Sequence, residues 1–298
     1  MASKFIKKLI PAALKKKVKE KKRASDFKKF KESAVTLSKG DLVKGFQNAG
    51  IEKGDVLFIH SSLKGLGYIE NGAKDVIEAF QEVVGTAGTL IFPTFTMKGS
   101  MEATLKDPEY VFDPKTSVST TGSITNHFMK FKDVHRSIHP THSVSAWGKH
   151  AADICAEHYE LDTNFGPGTP FGKFLDLNGK VVGLGIDYGN VTYYHVYEDY
   201  NLDKWPEVYI SEPFKAKVKD YQGNIHECET YAHNPSFHSS RIEKVPEIER
   251  FFCSYLEGNQ ISFRSEIGQG HLWWMKSQDL LEHLDELYKQ GKSIYKVT

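Results

Sequence analysis

Apolar and polar positions along the chain fall into two kinds of block. Short, nearly continuous apolar runs, at 55–60 (DVLFIH), 89–92 (TLIF) and 180–186 (KVVGLGI), read as buried strands. Between the first two, residues 73–84 repeat apolar positions at helical spacing and stop at Gly85. Strand, glycine-containing loop, helix and strand in that order form a βαβ-like unit, which predicts an α/β fold. Ser38 and Asp41 predict a capped helix ending at Gly50. Further helices are predicted over 121–131, 151–158, 171–177, 190–200, 247–256 and 277–288, with short strands at 144–147 and 261–264. Residues 207–211 and 214–218 alternate, and Gln222-Gly223-Asn224 predicts a hairpin leading into 225–229. Residues 97–120 are polar and irregular, and predict a long excursion over the surface. The expected architecture is a single α/β domain over residues 36–298. It has a mixed central sheet flanked by helices, an antiparallel addition, and a basic helical arm over residues 1–35.

Composition narrows this picture. A chain of 298 residues with 40% hydrophobic and 12% aromatic content can bury a sizeable core. No apolar run approaches the ~20 residues needed to span a bilayer. Residues 5–14 are interrupted by two lysines and a proline, unlike a signal peptide. Cys155, Cys228 and Cys253 are odd in number and widely spaced, which matches neither a disulfide framework nor a zinc pattern. Reduced thiols and a cytoplasmic location are expected, with no metal.

Charge is distributed unevenly. Residues 1–33 hold 13 Lys/Arg and 3 Asp/Glu, whereas the rest of the chain holds 26 and 35. A basic arm of net +10 is therefore attached to a body of net −9. Within the arm, Phe5, Ile6, Leu9, Ile10, Ala13, Leu14 and Val18 recur at helical spacing between lysines. That pattern fits a helix lying on an anionic membrane surface, or a solvated basic tail. Nucleic acid is a weaker partner, since the arm has no aromatic stacking array and no recognised binding module follows.

Candidate chemistry lies in two stretches, residues 136–144 and 192–198. His195 and Glu198 are three apart, which on a helix places them on one face. An imidazole beside a carboxylate is equipped to take a proton from a weak nucleophile. His139 and His142 form an H-x-x-H pair that lacks the third ligand a metal site needs. Ser61, Ser62, Leu63, Lys64, Gly65, Leu66 and Gly67 follow a strand. Their small residues let backbone amides approach an anion, or serve simply as turn residues.

Seven motifs in order resemble the aminoglycoside 3-N-acetyltransferase family. They are GDVLFIHSSLKGLG (54–67), GTLIFPTFT (88–96), FDPKTSVSTTG (112–122), RSIHPTHSVSAWG (136–148), FGPGTPFGKFL (165–175), GKVVGLGI (179–186) and VTYYHVYE (191–198). The resemblance implies transfer of an acetyl or other acyl group from acyl-CoA to a primary amine of an amino sugar. It implies that residues 61–67 hold the CoA phosphates, that Ser143 lies near the thioester, and that His195 is the general base with Glu198 beside it. His139, His142 and Thr192 are the expected acceptor contacts. A further acidic residue is implied downstream of the histidine, where Glu229 stands, although residues 226–233 depart from the family's local pattern. The acceptor is expected to be an aminoglycoside, as in antibiotic resistance, or an amino sugar destined for a surface polysaccharide. The contrasting reading is a non-catalytic module that binds CoA or an anionic surface.

Overall fold

The computed structural model describes residues 12–297, apart from Pro206. The chain begins with α1 (Ala12–Ser33), β1 (Thr36–Leu37), α2 (Lys39–Asn48), β2 (Val56–Ser61), β3 (Tyr68–Ile69), α3 (Ala73–Val84) and β4 (Thr89–Pro93). It continues with α4 (Met101–Leu105), β5 (Val111–Phe112), α5 (Ser123–Phe128), β6 (His135–Arg136), β7 (Val144–Gly148), α6 (Ala151–Cys155), α7 (Pro170–Asp176) and β8 (Lys180–Leu184). The remainder is α8 (Tyr194–Asp199), β9 (Phe214–Lys219), β10 (Ile225–Thr230), α9 (Pro246–Gly258), β11 (Ser262–Ile267), β12 (Gly270–Lys276) and α10 (Ser277–Lys289).

The central sheet has the order β11-β12-β8-β2-β4-β7-β6. Strands β8, β2 and β4 are mutually parallel, and the flanking strands pair antiparallel, so the sheet is mixed, as expected. The predicted βαβ unit is β2-α3-β4, and the predicted ends of α3 match the structure. Ser38 caps α2 through a reciprocal pair with Asp41, in which the serine oxygen accepts from the Asp41 amide and the carboxylate accepts from the Ser38 amide.

Strand alternation separates two hydrophobic layers. Leu57 and Ile59 of β2 join Phe46, Phe80 and Phe128 on one face. Phe58 faces the other way, toward Phe171, Phe174, Tyr193 and Trp273. Helices cover both faces, which is why the parallel strands are apolar along their whole length. At the end of β2, the backbones of Gly65, Gly185 and Gly270 touch. A Cβ on Gly65 would sit 2.2 Å from the Gly185 carbonyl oxygen, so a side chain cannot be accommodated there.

Several expectations are corrected. Residues 97–120 are not wholly irregular: they contain α4, and β5 adds a parallel edge to the β9–β10 hairpin. The helix expected over 190–200 is shorter. A single 3-10 turn over Tyr188–Asn190 precedes it, and α8 begins only at Tyr194. Residues 207–211 contribute one bridge, Tyr209 to His233, rather than a strand. β12, with adjacent Trp273 and Trp274, is a strand that alternation alone did not reveal. It is held because it pairs on both sides.

Of the basic arm, Phe5, Ile6, Leu9 and Ile10 lie outside the described residues. Residues 12–33 are helical as expected, but this stretch carries no apolar stripe. Val18 and Phe27 are exposed on it. Its far end docks on the body. The Phe27 ring meets Tyr68 edge-on at 6.2 Å, and Lys31 Nζ lies 4.6 Å over the same ring. Among the described residues, no helix is long and apolar enough to cross a membrane.

Candidate active site

Both chemistry-bearing stretches meet beyond the carboxyl ends of the parallel strands, where α/β sheets commonly place their ligands. β4 leads into Phe95 and Met97, and β8 leads into α8. These segments line a cavity of about 720 Å³ together with Met101, His142, Thr192, His195, His233 and Arg241.

His195 is the second residue of α8, so the three-residue spacing places Glu198 against it. His195 Nδ1 lies 2.7 Å from Glu198 Oε2. A carboxylate only accepts, so Nδ1 carries the proton of this hydrogen bond. Glu198 is 2% exposed. Its other oxygen, Oε1, accepts a hydrogen bond from the Tyr295 hydroxyl at 2.7 Å. Burial opposes ionisation of Glu198, but the charge and hydrogen bond of His195, together with His233, outweigh it. The carboxyl is held well below the usual range. The His233 ring lies tilted against His195 with centroids 4.3 Å apart, and its Nε2 is 3.7 Å from Glu198 Oε2. Burial, then the neighbouring His195, push His233 down to about 4. At neutral pH it is an uncharged wall of the site.

His195, Glu198 and His233 offer ligand-type atoms within 4.8 Å of one another.

His142 also lines the cavity, held between Phe95 and Phe165 at 4.8 and 4.7 Å between ring centroids. Burial, with the surrounding histidines adding to it, keeps His142 neutral. Thr192 borders the same space.

Other expected contacts are placed elsewhere. His139 is fully buried and does not line the cavity. Its Nδ1 accepts from the amides of Thr141 and His142, and its ring stacks on His158 at 4.5 Å. It shapes the loop that presents His142. Ser143 is also fully buried. Its hydroxyl donates to the Ser137 carbonyl and accepts from Arg136 Nε at 3.0 Å. Glu229 is on the outer face of β10, opposite Lys215, because strand alternation buries its neighbours Cys228 and Thr230 instead. The structure does not bring it to His195.

Residues 61–67 do not line this cavity. They sit at the end of β2, tied to β8 by the Ser62 amide donating to the Leu184 carbonyl at 2.8 Å. Leu63–Gly65 form one 3-10 turn, and Lys64 is exposed.

Sequence reasoning missed His233, Arg241 and Tyr295. No local spacing singles them out, since each lies in an irregular segment and reaches the site only through the tertiary fold. The three cysteines offer no acyl carrier: burial pushes the thiols of Cys155 and Cys228 up to about 12 and raises that of Cys253.

Comparison with known proteins points one way. A family model described as aminoglycoside 3-N-acetyltransferase matches residues 58–289. The SPbeta prophage-derived aminoglycoside N(3')-acetyltransferase-like protein YokD of Bacillus subtilis (strain 168) is 30% identical over 193 residues, covering 57% of this chain and 68% of that protein. Aminoglycoside N(3)-acetyltransferase III of Salmonella sp is 32% identical over 168 residues, covering 53% of this chain and 58% of the relative. The chain thus spans between 58% and 68% of these two relatives. The solved structure "AAC-IIIb binary with CoASH" shares the fold, with a TM-score of 0.71 at 16% identity, covering 88% of this chain and 100% of that one.

Proposed function

The chain belongs to the aminoglycoside 3-N-acetyltransferase family, and from that premise we propose that it transfers an acetyl or other acyl group from acyl-CoA to a primary amine of an aminoglycoside or related amino sugar. The observation that carries this reading is the His195–Glu198 pair at 2.7 Å, buried at one wall of a cavity of about 720 Å³.

An alkylammonium must lose a proton before its nitrogen can attack a thioester. His195, with Nδ1 held by Glu198, accepts that proton at Nε2. The amine nitrogen bonds to the acyl carbon, and the developing oxyanion is stabilised by backbone donors. Collapse breaks the carbon–sulfur bond, and the thiolate of CoA takes the second proton lost by the nitrogen as it becomes an amide. No acyl-enzyme forms, in keeping with the raised thiols of the cysteines.

Residues 61–67 are assigned to the CoA phosphates. Close backbone contact of Gly65 with Gly185 and Gly270 fixes the turn whose amides would meet the anion. AAC-IIIb, of the same fold, is a binary complex with CoASH, which supports acyl-CoA as co-substrate. Glu229 has no role in this reading, since Glu198 and Tyr295 meet the needs of the base.

Release of CoA, followed with a thiol reagent, tests the proposal. Acetyl-CoA would be supplied with aminoglycosides in one panel and nucleotide-linked amino sugars in another. CoA released in step with acceptor is the expected result, and its absence with every acceptor and acyl donor would sink the reading.

A further inference from the structure

We propose that the acceptor cavity takes an amino sugar that also bears an anionic group, a phosphate or carboxylate, and that Arg241 receives this group. The inference rests on the acyl-transfer reading and narrows its acceptor.

The net charge of the body, −9, favours a polycation, but the cavity itself does not. Its lining includes one carboxylate, Glu102, and that group is ion-paired with Lys106 Nζ at 2.6 Å. Glu198 stands behind His195, with both oxygens occupied by His195 and Tyr295. A molecule carrying several ammonium groups would find no unpaired counter-charge on these walls.

The cation on the walls is Arg241. It borders the main cavity and an adjoining one of about 180 Å³, in both cases alongside Thr192 and His195. Its side chain is 17% exposed, and its Nη1 forms a loose ion pair with Glu243, which also borders the adjoining cavity, at 3.7 Å, too long for a hydrogen bond. Its Nε is buried without a partner among the described residues. A guanidinium with unused donors in a sheltered site matches a phosphate or carboxylate through paired hydrogen bonds. Beside it, the single reacting amine surrenders its proton to His195, so an acceptor with one amine and one anion complements the walls.

The same anionic chemistry occurs in CoA, and kinetics separate the two sources. The test uses the full chain with acetyl-CoA, comparing glucosamine with glucosamine 6-phosphate, a nucleotide-diphosphate-linked amino sugar and kanamycin. An anionic acceptor is expected to exceed glucosamine and kanamycin in kcat/KM by about tenfold or more, the scale of hydrogen bonds to a charged group. Arg241→Gln should erase that preference by raising the KM of the anionic acceptor, leaving the KM of acetyl-CoA unchanged, and Arg241→Lys should restore part of it. Preference for kanamycin overturns the proposal. So does an Arg241→Gln effect confined to acetyl-CoA, or a charge preference that survives the substitution. Should the variants fail to fold, the wild-type ratio of phosphorylated to unphosphorylated sugar still decides. Calorimetric binding of that pair without acetyl-CoA reads the preference even where turnover is absent, so failure of the acyl-transfer reading and failure of this one are distinguishable.

Discussion

The Tyr295 hydroxyl donates to Glu198 Oε1 at 2.7 Å, joining the last residues of the chain to the carboxylate that holds His195. Tyr295 lies beyond residues 58–289, which the family model matches. Its ring is packed edge-on by Phe237 at 4.9 Å and lies 5.7 Å from Trp205. The tail thus fixes one carboxylate oxygen so that the other faces the imidazole. Tyr295→Phe keeps the packing and removes the hydroxyl. The expected result is a fall in kcat of about tenfold, in line with a hydrogen bond to a charged group, with a melting temperature close to wild type. The KM for acetyl-CoA should stay at the wild-type value, because the hydroxyl acts through Glu198 alone. An unchanged kcat would leave Tyr295 a packing residue only.

Removing the base itself has a larger effect. His195→Ala is expected to lower kcat by about 10²–10⁴-fold, the usual contribution of a positioned general base. Glu198→Gln keeps the shape and loses the charge, and should fall between wild type and His195→Ala. Acyl-CoA affinity, read by calorimetry, should not change in either variant. Turnover by His195→Ala at the wild-type rate would remove the assigned base.

Acid should destabilise the fold through its buried imidazoles. Burial pushes His60 down to about 4 and His139 to about 3, and with the charge of His195 pushes His233 to about 4. Each folded-state value lies below the unfolded value of about 6.5. The unfolded chain therefore binds these protons first as pH falls, and stability is lost from about pH 6.5 down to the folded values. At pH 5 the loss relative to pH 8 amounts to about 2 kcal/mol for each imidazole that stays neutral. Urea midpoints at the two pH values measure it. His60 Nε2 is buried without a partner among the described residues, so His60→Leu should flatten the slope by one proton.

The basic arm has a separate test. Deleting residues 1–33 removes net charge of +10, and each Lys or Arg near an anionic membrane surface contributes about 1 kcal/mol. The full chain is expected to sediment with phosphatidylglycerol vesicles and the shortened chain to remain in solution, while turnover on a soluble acceptor is retained. Equal vesicle binding by both would dismiss a membrane role for the arm.

The sequence by itself determined the elements whose signals are local. The apolar runs of β2, β4 and β8 and the period of α3 appear where they were expected, because burial on both faces demands continuous apolar strands and burial on one face demands a helical stripe. The Ser38–Asp41 cap and the His195–Glu198 pair were legible for the same reason, since partners three residues apart meet within one helical turn. Only the tertiary structure decided what joined them. Arg241, His233 and Tyr295 come from irregular segments and converge on Glu198 and His195 through long-range packing, which no spacing rule encodes. Strand alternation, once β10 paired with β9, turned Glu229 outward. The distribution of charge followed the same division: composition set an acidic body, but the fold decided that Arg241, and not an array of free carboxylates, borders the reacting centre.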